Sequence, residues 1–502
     1  IIPALFLLCS CGADDKAAVV EKPGWDAFAA ATIADYYAAN PETAVAAGLH
    51  QYDGQMYDNS LAAAEKYAAW IDTVIAEASS YSELQGIEAF ERDYLVQALR
   101  GEQFWIRDSG FLTNNPVIYA FSLGMGTYID REYAPLEERI VAYTDYVSQL
   151  PAWLQTMQGN LAPPLPAPYV ETAHGIFSGM ADYFRNTVPG LFADVKDEQL
   201  QRRFEAANTA AADAVEQTAR WLDSLRATAT DDYALGEEKF LTMLSATQGV
   251  DISLEELKAA GELNLQQNLD TLYAACAEFA PGASTEDCVL GVQNRKDNKL
   301  VSIPGTEEAL VAEAPPHRRF NSAYIDIPGP FEQGLPSVYY IAPPDPTWSE
   351  EDQLAYIPGE TDLLGTSVHE VWPGHFLQFL HANRAENKIG KHFYSYSFVE
   401  GWAHYTEQMM IDAGLGGGDP EYRIGQLLNA LLRNVRYLSA IGLHAEGMSV
   451  AESQRMFEEK AFQDFGNASQ QAFRGTYDPG YLNYTLGKLM INKLRDDWTA
   501  GR

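Results

Sequence analysis

The chain has 502 residues, 47% hydrophobic and 21% charged, which excludes a disordered, collagenous or low-complexity protein. It carries 70 Asp+Glu against 34 Lys+Arg, a formal charge of −36. Phosphate backbones repel such a chain, so nucleic acid is excluded as a general partner and the excess acid reads as a solubilising surface.

In chain order, Ile1 to Leu8 is an apolar run too short to span a bilayer. It reads as the tail of a signal-peptide core. Leu8-Cys9-Ser10-Cys11 follows and resembles a bacterial lipobox. That pattern predicts lipidation at Cys11, export to the periplasmic face of a bacterial membrane, and attachment there through the lipid. Gly12 to Lys22 reads as a tether, closing an N-terminal segment over 1–22. Residues 23–500 are predicted to form one mainly α domain: helical over 23–281, a small sheet within 282–350, and helices again over 360–500.

The first helical stretch shows apolar residues three and four apart, as in Leu95, Ala98 and Leu99, or Tyr143, Val147 and Leu150. Breaks are predicted at Asn114-Asn115-Pro116, at the proline-rich 162–168, and at Pro189-Gly190. Export would place Cys276 and Cys288 in an oxidising compartment, where a local disulfide is expected. Ser322 to Ile327 and Ser337 to Ile341, rich in Tyr and β-branched residues, read as strands. Helical periodicity resumes at Glu360, broken at Gly414 to Asp419 and at Gly475 to Gly480.

Five of the nine histidines lie between His369 and His404. Two helical histidines share a zinc ion when four residues apart, about 40° around the axis. His369 and His375 are six apart, which on a regular helix is about 240° around and roughly 9 Å along. Trp372-Pro373-Gly374 supplies a remedy. Proline has no N–H for the carbonyl of His369, and glycine takes angles closed to other residues. A two-residue bulge is therefore expected, returning His375 to the side of His369. Zinc peptidases of the glutamate type take a third ligand from a second helix about 25 residues on, and Glu400 stands at that place, so the resemblance to that pattern makes it the candidate. His404 and Glu407 follow on the same face; His404 is read as hydrogen-bonded to Glu400 or Glu407, and Gln378 and Glu407 as either orienting ligands or packing. His381 and His392 read as surface residues, Trp372 and Trp402 as packing.

His-Glu-x-x-Pro-Gly-His-x-x-Gln followed by Glu-Gly-Trp-Ala-x-Tyr-x-Glu resembles the signature of the bacterial domain-of-unknown-function 885 family. Leu235-Gly236 with Phe240, Leu254-x-Glu256-Leu257 with Gly261, Arg436 with Gly442-Leu443-His444, and Tyr484 with Gly487 extend the resemblance over about residues 25 to 498. Ala440 departs from it, standing where the family often has Asp. The resemblance implies a helical gluzincin-like fold with a deep cleft, similar to angiotensin-converting enzyme and the thermostable carboxypeptidases. It implies one zinc ion held by His369, His375 and Glu400, with Glu370 as general base. Tyr484 is the first choice and His444 the second for stabilising a developing oxyanion. Arg436 is expected to pair with a substrate carboxylate, favouring carboxypeptidase-like action. Tyr340, beside Tyr339, is expected to present a strand edge to an extended peptide. The expected activity is hydrolysis of short peptides by a lipid-anchored zinc metallopeptidase. The alternatives are a non-catalytic peptide-binding lipoprotein and a metal-dependent hydrolase of another amide or ester.

Overall fold

A computed structural model describes residues 23–293, 309–315, 318–319, 323–332, 334–385 and 389–501. Cys11 and the tether lie outside these residues. The described chain is mainly helical, as the periodicity requires, with a three-stranded sheet.

Counting helices of nine residues or more, the described chain up to Gln293 contains α1 (Trp25–Ala39), α2 (Leu61–Ser79), α3 (Gly86–Gln103), α4 (Leu136–Asn160), α5 (Ala167–Asn186), α6 (Glu198–Leu225), α7 (Glu237–Gln248), α8 (Leu254–Phe279) and α9 (Thr285–Gln293). The start of α6 is set by Asp197, whose carboxylate accepts from the amides of Gln199 (2.8 Å) and Leu200 (3.1 Å). Phe204, Ala211, Val215 and Leu222 then recur on its buried face. Helix α8 starts with a reciprocal cap between Ser253 and Glu256. The apolar residues that signalled helices, Leu95, Leu99, Tyr143, Val147 and Leu150, are all fully buried. The predicted breaks at Asn115-Pro116 and 162–168 separate helices. Pro189-Gly190 instead lies inside the short helix Val188–Leu191.

The segment 282–350 departs from expectation in two places. Helix α9 occupies its start, and Cys288 on it is disulfide-bonded to Cys276 on α8. A first strand, β1 (Ala309–Glu313), precedes β2 (Ala323–Asp326) and β3 (Ser337–Ile341). The order is β1-β3-β2, with β1 parallel and β2 antiparallel to β3. The run Ala-Leu-Val-Ala-Glu of β1 carries one β-branched residue, so its sequence gives no strand signal.

The last third holds α10 (Glu360–Glu370), α11 (His375–Arg384), α12 (Tyr396–Asp412), α13 (Pro420–Ala445), α14 (Val450–Ala461), α15 (Phe465–Tyr477) and α16 (Asn483–Ala500). Helix α13 is the axis of this part. Nearly every residue from Ile424 to His444 is buried, because α8, α10, α12, α14, α15 and α16 all pack on it. Ala440, at the departure from the family pattern, is fully buried in that apolar core.

Two glycine contacts fix the spacing of α12 and α16. A Cβ on Gly487 would lie 1.7 Å from the carbonyl oxygen of Ser397, and one on Gly401 would lie 2.5 Å from Gly487. The two backbones touch, which places Glu400, next to Gly401, opposite Tyr484, one turn before Gly487. A Gly487→Ala substitution is expected to force these helices apart at a cost on the order of 3 kcal/mol. Denaturant unfolding unchanged from wild type would show that the contact is loose. The Cys276–Cys288 bond closes a short loop, so reduction or paired serine substitution is expected to cost about 3 kcal/mol. Unfolding with and without reductant measures it; coincident curves would mean the bond contributes nothing.

Candidate metal centre

Helix α10 ends where the sequence analysis places its disruption. Val371 leaves the helical region at φ −113°, ψ −84°, and Gly374 adopts φ −71°, ψ −130° before α11 begins at His375. The interruption is complete, dividing one expected distorted helix into two. Gly374 folds back so closely that its amide donates to Val368 O at 3.0 Å. A Cβ there would sit 1.8 Å from His369 O, so no other residue fits. Trp402, read as packing, also donates from Nε1 to Pro373 O at 2.9 Å and ties α12 to the break. Tyr339 of β3 forms a small core with Val371 and Phe376, covering it from the other side.

This geometry brings the His369 and His375 rings to 4.7 Å between centroids. Glu400 Oε2 from α12 lies 3.2 Å from His369 Nε2 and 3.3 Å from His375 Nε2. One donor atom from each residue falls within 4.8 Å of the others. Ligands about 2.0–2.1 Å from a tetrahedral zinc ion lie about 3.3 Å apart, so the two contacts to Glu400 match its edges.

The hydrogen bonding supports the same fit. His369 Nδ1 donates to Glu407 Oε1 at 2.8 Å, because a carboxylate can only accept. His369 Nε2 then faces Glu400 Oε2, a buried oxygen without a well-formed hydrogen bond, with its lone pair. Two acceptors in contact need a cation between them. In the metal-free state a proton serves: burial opposes charge on His369, but Glu400 and Glu407 outweigh it and raise its pKa to about 9. Burial alone would raise Glu400, yet His375 and His369 hold it well below the usual carboxylate range. His375 Nδ1 is buried without a partner among the described residues.

Glu407 is shared. Besides His369 it accepts from His404 Nδ1 (3.1 Å) and pairs with Arg433 (3.3 Å). His404 is therefore an orienting neighbour, and its burial lowers its pKa to about 3, keeping it neutral. Arg433 was not anticipated, although a cation within the apolar run of α13 is a signal for it. Buried Lys488, on α16, adds a positive charge near Glu407; burial lowers its pKa to about 8.

Glu370, the last residue of α10, is buried and lines the same cleft, of about 1750 Å³, as the three metal-ligand candidates. Tyr484 lines it too, its ring stacked on His369 at 6.0 Å and 16°. Arg474 donates to Tyr484 Oη at 3.4 Å, leaving the phenolic proton free to be given elsewhere. Arg436 lies over the Tyr484 ring, 4.6 Å from its centroid. Its hydrogen bond runs from Nε to Gln471 (2.8 Å), and no carboxylate pairs with it among the described residues. Burial, then the nearby Arg474, lowers its pKa to about 10.

Three expectations need correction. His444 does not reach the cleft: Nε2 bonds Gly475 O at 2.7 Å, the Leu235 amide lies 3.4 Å from Nδ1, and the ring stacks on Phe240. Both nitrogens serve backbone, so it is removed from the catalytic set. Tyr340 points away from the metal centre and stacks on Tyr324, because strand side chains alternate; Tyr339 is the one that lines the cleft. His392 is half-buried in the cleft wall, 2.6 Å from Tyr37 Oη, whereas His381 is exposed as expected.

No curated protein matches the chain in sequence. A solved structure from Shewanella oneidensis, described as "a putative lipoprotein of unknown function", is 19% identical over 95% of this chain and 94% of that one, with a TM-score of 0.76. Another, a "putative lipoprotein" from Colwellia psychrerythraea, is 15% identical over 95% and 92%, with a TM-score of 0.78. Both share the fold. The profile of DUF885, a family of bacterial proteins of unknown function, matches residues 41–301 and 291–502, so the chain belongs to that family.

Proposed function

We propose that this chain is a zinc-dependent peptidase anchored by a lipid at Cys11, with a gluzincin-like site. The observation that carries the reading is the convergence of His369, His375 and Glu400 within 4.8 Å on the wall of a deep cleft. Two imidazoles and one carboxylate are the donor set of a catalytic zinc site with an open position. Bound there, zinc would supply Lewis acidity, activating water and polarising a carbonyl.

The chain's own residues account for the remaining chemistry. Glu370 accepts a proton from water and passes it to the departing amine. Tyr484 gives a hydrogen bond where negative charge develops on the carbonyl oxygen. Glu407 holds His369 in the tautomer that leaves Nε2 free. Arg436, buried and without an acidic partner among the described residues, receives the substrate's terminal carboxylate. That last assignment makes the action carboxypeptidase-like. The lipoprotein descriptions of the two structural relatives agree with the lipobox reading at Cys11.

Metal analysis of the purified protein tests the centre. Wild type is expected to hold about one zinc per chain and cleave short peptides. Glu370→Gln should keep the zinc and lose at least about 100-fold in kcat. His375→Ala should lose both. Undiminished zinc in His375→Ala would refute the ligand set. Zinc without cleavage of any peptide would favour the peptide-binding or non-peptide hydrolase alternatives.

Substrates ending in a free acid or an amide test Arg436. Wild type is expected to favour the acid by about 100-fold in kcat/KM. Arg436→Lys should keep part of that preference and Arg436→Gln should abolish it. Equal rates on both substrates by wild type would exclude a carboxylate anchor.

A further inference from the structure

Three aromatic side chains of the cleft lie largely uncovered. Phe90 is 52%, Tyr394 71% and Phe398 49% exposed, yet all three line the cleft that holds the metal-centre residues. Single exposed rings are ordinary on a protein surface; three that line one cleft mark a candidate binding surface. Phe90 stacks on Tyr94 at 5.7 Å. Tyr94 Oη donates to the carbonyl of Phe393 at 3.0 Å, fixing it beside Tyr394. Tyr394 in turn meets Phe379 edge-on at 6.2 Å. Phe398 stands two residues before Glu400 on α12.

Tyr394 lines the same cleft as Glu400. Among the described residues Phe379 meets the Tyr394 ring, and 71% of Tyr394 stays exposed in the cleft. The five rings carry no charge, and ring faces and edges at these separations favour another ring or a large aliphatic group.

We propose that Phe90, Tyr94, Phe379, Tyr394 and Phe398 form the side-chain subsite beside the metal centre, taking an aromatic or large aliphatic residue adjacent to the bond that is hydrolysed. This rests on the peptidase reading and names the substrate class it acts on. The subsite fixes which bond is presented, and the carboxylate anchor fixes how far it lies from the end.

The test uses hexapeptides with free termini, each carrying one Phe in an otherwise Ala-Ser background. Wild type, zinc-loaded, is expected to show one position where Phe raises kcat/KM roughly 10- to 100-fold over Ala. Tyr394→Ala combined with Phe398→Ala should collapse that ratio to within about 3-fold. Tyr394→Phe should preserve it, since the ring and not the hydroxyl is what the subsite uses. A wild-type ratio near one, or a full ratio in the double variant, overturns the subsite. Binding of the same peptides to zinc-loaded Glu370→Gln protein separates the two readings. Ring-dependent affinity without any hydrolysis by wild type would keep the subsite and refute the peptidase. Hydrolysis without ring dependence would refute the subsite alone, and no binding of any hexapeptide would refute it as well.

Discussion

The whole site depends on the return of the Gly374 amide to Val368 O. An unbroken helix would carry His375 to the far side of the axis from His369. The tight return shortens that path, and it is possible only because residue 374 has no Cβ to meet the His369 carbonyl. Interrupting a helix frees backbone groups that must be covered or bonded. The neighbouring elements do this. Tyr339 from β3 packs on Val371 and Phe376, and Trp402 from α12 bonds the Pro373 carbonyl. The small sheet is thus the cover of the interruption as well as a wall of the cleft. The contact of Gly401 with Gly487 then seats α12 so that Glu400 completes the triangle.

Behind that triangle, one carboxylate organises the charges. A buried Glu407 stays ionised only because cations and donors surround it, and His369, His404 and Arg433 all do so. Burial alone would neutralise it; Arg433 and His404 hold it well below the usual range. The arrangement fixes the ring of His369 from behind, as hydrogen-bonded carboxylates do for metal-bound imidazoles. Arg433 is itself held by Asn429, whose carbonyl accepts at 3.0 Å, so the orientation is passed down to the backbone of α13.

Much of this was legible in the sequence. The helical regions, two of three strands, the broken histidine helix and the approach of Glu400 to the two histidines follow from periodicity, strand composition, Pro-Gly chemistry and spacing. What escaped was set by contacts distant in sequence. β1 has an ambiguous composition and becomes a strand by pairing with β3. His444 matched the family pattern, but only the fold shows the Gly475 carbonyl waiting for it. Tyr339 and Tyr340 are equivalent by composition, and the register of one strand against two neighbours decides which faces the cleft. The placing of Arg433, Arg474 and Lys488 around Glu407 and Tyr484 is a property of three packed helices.

The charge of the chain gains meaning from this arrangement. The chain carries a formal charge of −36, yet Arg433, Arg436 and Arg474 all line the cleft. Arg433 and Arg474 have acidic partners in Glu407 and Asp478, whereas Arg436 has the amide of Gln471 and the face of Tyr484. Neither of these neutralises a guanidinium removed from water, so Arg436 holds the strongest local demand for an anion. On the proposed reading, the outer field and the inner cation act on different properties of a substrate. The acidic surface repels long polyanionic chains over roughly one Debye length, about 8 Å at physiological salt. A short peptide, whose two ends cancel, approaches without that penalty and presents its carboxylate only once inside. Exclusion by surface charge and capture by a buried arginine therefore select together for small peptides, which are also what a deep cleft can hold.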